Sequence, residues 1–398
     1  MHQLSRREFL SLGAAAALAP RSAFGVADDI LQHPRKTVEA LERARVLSAA
    51  QRYLHEPPST IVSAPAPRSA GGLHDYFSEA DYFWPDPNNP SGPYINRDGE
   101  SNPANFNTHR LLLIRLSIQL STLAGGWLLT RRRDFAEHAA AHLRAWFIEP
   151  ATRINPNLQY AQAVHGVSTG RSYGIIDTLH LVEVAQSAII LHQGSALSES
   201  DWQGARSWFA EYLNWLNSSD PGRKERLAKN NHGSCWLLQA AEFALLTGDD
   251  GVVRNCRERF KDTIMSTQIA GDGSFPLELA RTKPYGYSLF NLDAVGMLAH
   301  VLSTGPDNLW EYTLADGRGL AACFRFMAPY VANKQTWPYR HDVQYFDDLP
   351  VRQPSLLFAG LAYRKIEYLD LWRRLDPDPQ QPETIRNHPV RQPLLWLS

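Results

Sequence analysis

The sequence predicts an all-α protein, a single (α/α) toroid with long active-site loops. Three observations carry that expectation. Apolar residues recur at helical spacing along most of the chain, strand-like alternation is scarce, and many helical stretches are joined by short turns. Helix pairs that follow one another in this way suit a toroid, although no sequence repeat marks the pairs.

Taken in order, the chain opens on "MHQLSRREFLSLGAAAALAPRSAFGVADD". Ser5-Arg6-Arg7-Glu8-Phe9-Leu10 has the twin-arginine pattern, and the apolar run from Leu10 to Ala19 is shorter than the ~20 residues a membrane span needs. Small residues at Ala23 and Gly25 suit cleavage, so residues 1–25 read as a signal peptide and 26–398 as one domain, periplasmic or secreted. Helical stretches are expected at 31–54, 110–130, 133–147, 176–194, 201–217, 233–248, 250–268, 287–304, 316–328 and 354–374. The stretch 110–130 is apolar nearly all round, as a buried helix would be, while Arg115 and Gln119 argue against a membrane span. The helix after Gly233 stops at Gly248.

Two segments break the pattern. Residues 80–106 are crowded with Pro, Asn and Gly around Tyr82, Phe83, Trp84 and Tyr94; residues 148–175 carry Gln162, His165 and Arg171. Structureless loops this long inside a domain are often functional, and aromatic faces beside amides suit sugar rings. From about residue 375 a Pro-rich tail is expected to run as an extended wrap over the body.

The balance of 40 basic and 41 acidic residues gives a formal net charge of −1, which gives no support for nucleic-acid binding. An anionic ligand must therefore meet a local cluster of positive charge. No nucleic acid, no membrane after signal removal and a monomeric state are expected. Cys235, Cys256 and Cys323 lack CxxC spacing and read as core fillers; Asp75, Asp81 and Asp86 lack a metal-ligand spacing, so neither a metal nor a cofactor is expected.

Chemistry concentrates in two places. "KNNHGS" puts Asn230, Asn231 and His232 at the start of an apolar helix, where an Asn is also a common N-cap. "LELARTKPYGYSLFNLDA" supplies Arg281, Lys283, Tyr285 and Tyr287. Arg281 follows His232 by 49 residues, the length of a helical hairpin with its connections, so a toroid returns it to the same end. Lys283 and Arg340 read as solvated charges.

These two segments, with "DYFWPDPNNPSGPYINRDGE" and "NPNLQYAQAVHGVSTGRSYGIIDT", resemble the alginate-lyase superfamily of polysaccharide lyases over about residues 70–340. That group includes the mannuronate-specific family 5 and the glucuronan and polymannuronate lyases of family 38. The resemblance implies that Asn231, His232 and Arg281 are active-site residues. The family 5 tyrosine follows the arginine by seven residues; here Tyr285 follows by four and Tyr287 by six, which is nearer the family 38 pattern and favours Tyr287.

The implied reaction is β-elimination in a 4-linked uronate polymer, polymannuronate or glucuronan. Removing H5 beside the C6 carboxylate builds negative charge that Arg281, Asn231 and His232 would neutralise, with His232 a donor or a helping base. Tyr287 would take H5 as tyrosinate and return the proton to the C4 oxygen on the same ring face; for guluronate, His232 would be the base and Tyr287 the acid. Arg171, Gln162, His165, Trp84, Tyr285 and Asn230 are candidate substrate contacts. Two rival functions stand beside this one: a glycoside hydrolase using carboxylates such as Asp177 and Glu278, and a non-catalytic polysaccharide-binding protein.

Overall fold

The structure, a computed structural model, describes residues 23–397. The twin-arginine motif and the apolar run after it lie outside the described residues. Helix α2 (Pro34–Tyr53) matches the helix expected over 31–54, and a separate helix α1 (Ala23–Gln32) precedes it. Pro34 makes the break, because it lacks the N–H that would continue α1 and its fixed φ suits a first helical turn.

Helical hairpins then follow around a ring. They are α3 (Thr108–Thr130) with α4 (Arg133–Leu143), and α5 (Leu181–Gln193) with α6 (Glu199–Ser218). A short helix α7 (Asp220–Arg226) leads into α8 (Asn231–Thr247), which pairs with α9 (Asp250–Arg259). Small helices α10 (Ser266–Gln268) and α11 (Pro276–Leu279) precede α12 (Pro284–Leu302) and α13 (Leu320–Ala332). Helices α14 (Pro354–Ala362) and α15 (Ile366–Arg374) complete the series.

Helix α5 packs on α3 and α8, α8 on α12, and α12 on α14; α15 returns through α1 and α2 to α3. The inner row of an α/α toroid is thereby formed by α3, α5, α8, α12 and α14. Position in that row explains why α3 is apolar on every side: α2, α4 and α5 cover it. Its length and hydropathy would also suit a membrane span, but it is a core helix here.

The stretch 354–374 is two helices rather than one. Arg364 adopts φ 52° at the turn, and a Cβ on Gly360 would lie 2.5 Å from the Leu369 side chain, so α14 and α15 fold back closely. Helix α8 does end at Gly248, which takes the left-handed conformation with φ 74°.

The two long loops are tied together by strands too short to show as alternation. Strand β1 (Phe77–Glu79) pairs in parallel with β4 (Tyr160–Ala163), and β2 (Phe83–Trp84) pairs antiparallel with β3 (Ile95–Asn96). They fix the loops over the end of the ring where α8 and α12 begin.

The Pro-rich tail corrects the expectation of an outer wrap. After α16 (Pro382–Arg386) it runs buried among the inner helices. Glu183 on α5 accepts the backbone N–H groups of Arg391 and Gln392, Gln392 donates to Thr122 on α3, and His300 on α12 bonds the Trp396 carbonyl. Three inner helices hold the tail, so it fills the ring. Leu394 is 1% exposed, and Leu394→Ala is expected to cost about 2–5 kcal/mol in denaturant unfolding, whereas an outer strap would lose under about 1 kcal/mol.

Candidate active site

A cavity of about 410 Å³ opens at that end of the ring. Asn230, Asn231, His232, Arg281 and Tyr287 all line it, with Gln162 and Arg171 opposite. Tyr287 sits one turn inside α12, whose start is capped by Asp342 accepting the backbone N–H groups of Tyr285 and Gly286, each at 2.8 Å.

Tyr287 is held from two sides. Its hydroxyl donates to Tyr82 Oη at 2.9 Å, and Arg281 lies over its ring with Cζ 4.6 Å from the centroid and Nη2 3.5 Å from Oη. Burial pushes the Tyr287 phenol well above its ordinary value, and the Arg281 charge pulls it only partly back. Tyr287 therefore rests as the protonated phenol.

The Arg281 fork is already occupied. Nη2 and Nε donate to Asp98 at 2.6 and 3.2 Å, and Thr282 Oγ1 donates to the same carboxylate at 2.8 Å. Asp98 is in the long loop 183 residues earlier, and the pair fixes the guanidinium beside Tyr287. Bidentate pairing sets direction as well as charge.

The Asn-His pair rests on two buried carboxylates. Glu278 on α11 accepts the Asn231 backbone N–H and its side-chain Nδ2, both at 2.7 Å. Beneath His232, Glu225 on α7 meets Nδ1 at 2.5 Å, and Tyr173 packs edge-on against the imidazole at 5.0 Å. Asn230 occupies the N-cap position of α8, but no side-chain cap bond forms; its carbonyl accepts from Gln268 Nε2 instead, at 3.0 Å. The positive end of α8 adds to the field that favours an anion here.

Several expected contacts fall elsewhere. Tyr285 is fully buried, donates to the Tyr330 carbonyl and packs on Trp337 and Phe346, away from the cavity. Residues two apart on a helix point roughly 200° apart, so only one of the two tyrosines can face the site. Trp84 faces away, its Nε1 bonded to the Glu100 carbonyl, and its strand neighbour Phe83 lines the cavity under Arg171. His165 is exposed and packs at a tilt against Tyr94 beside a separate groove. Gln162 reaches the cavity wall, yet both ends of its amide are used, on Asp177 and Arg171.

Lys283 is buried rather than solvated. It pairs with Glu383 at 3.4 Å and lies against the Tyr82 and Tyr345 rings. Arg340 is exposed, as expected, and donates to the carbonyls of Ala280 and Arg281. Asp81 is consumed by Arg110 and Arg386, which hold it at about 2 against the upward push of burial.

Asp177 and Glu278, the carboxylates a hydrolase would need, are buried behind the cavity. Asp177 accepts from Tyr76, Ser78 and Gln162, and Glu278 is spent on Asn231. Asp98, Glu225 and the tail residues Glu383 and Arg386 escaped sequence reasoning. Asp98 and the tail residues reach the site from distant segments, and Glu225, seven residues before His232, has no local pattern that marks it.

An alginate lyase from Bacteroides ovatus has a similar crystal structure, with 27% identity, a TM-score of 0.78 and coverage of 94% of this chain and 97% of that one. Alginate lyase A1-III from Sphingomonas species A1 shares the fold at 16% identity and a TM-score of 0.55, over 88% of this chain and 94% of its own. A variant of A1-III complexed with tetrasaccharide matches with a TM-score of 0.57, at 16% identity over 89% of this chain and 94% of its own. Among curated proteins none matches the chain. Family and structural neighbours together make this chain a polysaccharide lyase, a carbon–oxygen lyase. The alginate lyase family profile matches residues 60–337, and the chain belongs to that family.

Proposed function

We propose that the protein cleaves 4-linked uronate polymers, polymannuronate or glucuronan, by β-elimination. The observation that carries this reading is Tyr287, set between Arg281 and Tyr82 in one cavity with Asn231 and His232. Tyr287, as tyrosinate, takes H5; the electrons form the C4=C5 double bond, the C4–O4 bond breaks, and the proton passes from Tyr287 to O4. Both groups lie on one ring face in mannuronate and glucuronate, so one phenol serves both steps.

Arg281, pinned by Asp98, stabilises the tyrosinate and adds fixed charge beside the C6 carboxylate. Asn231 and His232 neutralise the enolate that forms there. Arg171 adds positive charge on the facing wall for a neighbouring uronate. The twin-arginine start supports action outside the cytoplasm, where such polymers are met.

Polymer choice tests the stereochemistry. Initial rates of double-bond absorbance are expected to be at least about 10-fold higher on polymannuronate or glucuronan than on polyguluronate, which places H5 on the other face. Equal rates on all three would remove the single-tyrosine step.

A further inference from the structure

The resting state poses a problem for the tyrosine. Burial favours the Tyr287 phenol, and releasing its proton to bulk solvent would leave added negative charge where burial disfavours it. A proton acceptor within the cavity avoids that cost, because the net charge there does not change.

The Asn231 amide is tied to Glu278, Asp98 is filled by Arg281 and Thr282, and Glu383 lies against Lys283 and Arg386. His232 differs. A carboxylate only accepts, so Nδ1 carries the proton given to Glu225, and Nε2 has no hydrogen-bond partner among the described residues. Glu225, 2% exposed, fixes Nδ1, and Tyr173 packs against the ring at 5.0 Å, which together hold the imidazole in this orientation.

We propose that Glu225 is a positioning residue: it holds His232 with Nε2 open to the cavity, making this imidazole the acceptor of the Tyr287 proton when substrate enters. This rests on the lyase reading and deepens it. The proton moves from Tyr287 Oη, across a water or a sugar hydroxyl, to Nε2. The products are a tyrosinate ready for H5 and an imidazolium whose Nε2–H faces the C6 carboxylate, with Glu225 as counter-ion. No proton or charge leaves the site.

The pH dependence of kcat/KM, followed by double-bond absorbance, separates this from ionisation to solvent. Internal transfer leaves kcat/KM level across about pH 7.5–9.5, because the pair keeps its one shared proton until Tyr287 itself titrates above about 10. Glu225→Gln is expected to lower kcat about 100-fold near neutral pH with KM within about 3-fold, and to convert the level region into a climb of about tenfold per pH unit. In a His232→Ala background the same change should cost under about 3-fold, since a residue acting only through His232 has nothing left to act on.

A wild-type profile that climbs throughout, or a Glu225→Gln enzyme within about 2-fold of wild type, overturns the proposal and leaves the lyase reading standing. Full activity in His232→Ala, by contrast, removes His232 itself from the reaction. If Glu225→Gln does not give a cooperative thermal melt, Glu225→Asp takes its place; its retracted carboxylate should cost more than about 5-fold in kcat, and no loss would overturn the proposal.

Discussion

Tyr287→Phe is expected to lower kcat by about 1,000-fold or more while KM stays within a few-fold. Phenylalanine keeps the ring beneath Arg281, whose Cζ lies 4.6 Å from the centroid, so packing and local charge persist. What is lost is the one oxygen that the proposed elimination uses to carry the proton from C5 to O4, together with its bond to Tyr82. Initial rates of C4=C5 absorbance measure the effect directly. A variant within about 10-fold of wild type would take Tyr287 out of the proton transfer.

The second large effect is expected at Arg281. Arg281→Lys keeps a positive charge but cannot hold both Asp98 oxygens and the Tyr287 hydroxyl at once, because an ammonium lacks the planar fork. A loss of about 100-fold in kcat/KM is expected, with most of it in kcat. Asp98→Asn provides the cross-check: it too weakens the fork, so the two losses should fall well short of additive in the double variant. Additive losses would mean that Arg281 and Asp98 act separately.

How much was legible in the sequence follows from how far apart the interacting groups lie. Adjacent Asn231 and His232, at the first turn of a strongly apolar helix, could be read locally. Arg281 and Tyr287 could be placed because the hairpin between His232 and Arg281 returns the chain to the same end of the ring. Their distant partners could not. Asp98 reaches Arg281 across 183 residues, and the tail brings Glu383 to Lys283 across 100.

Differences at the site come from the orientation of single side chains and from partners far away in the chain. Trp84 and Phe83 exchange roles because a two-residue strand sends them to opposite faces. Tyr285 turns into the core where Tyr287 turns to the cavity. Lys283 looked solvated because nothing nearby in sequence announces a buried Glu383. The tail looked like an outer strap because prolines suggest an extended path, while its Val390, Leu394 and Trp396 belong to the core of the ring.

The most direct test counts chain ends. Purified enzyme acting on polymannuronate or glucuronan should create one C4=C5 double bond for every new reducing end, and Tyr287→Phe should suppress both together. New reducing ends without matching double bonds would show that the linkage is broken by water, and would contradict elimination at this site.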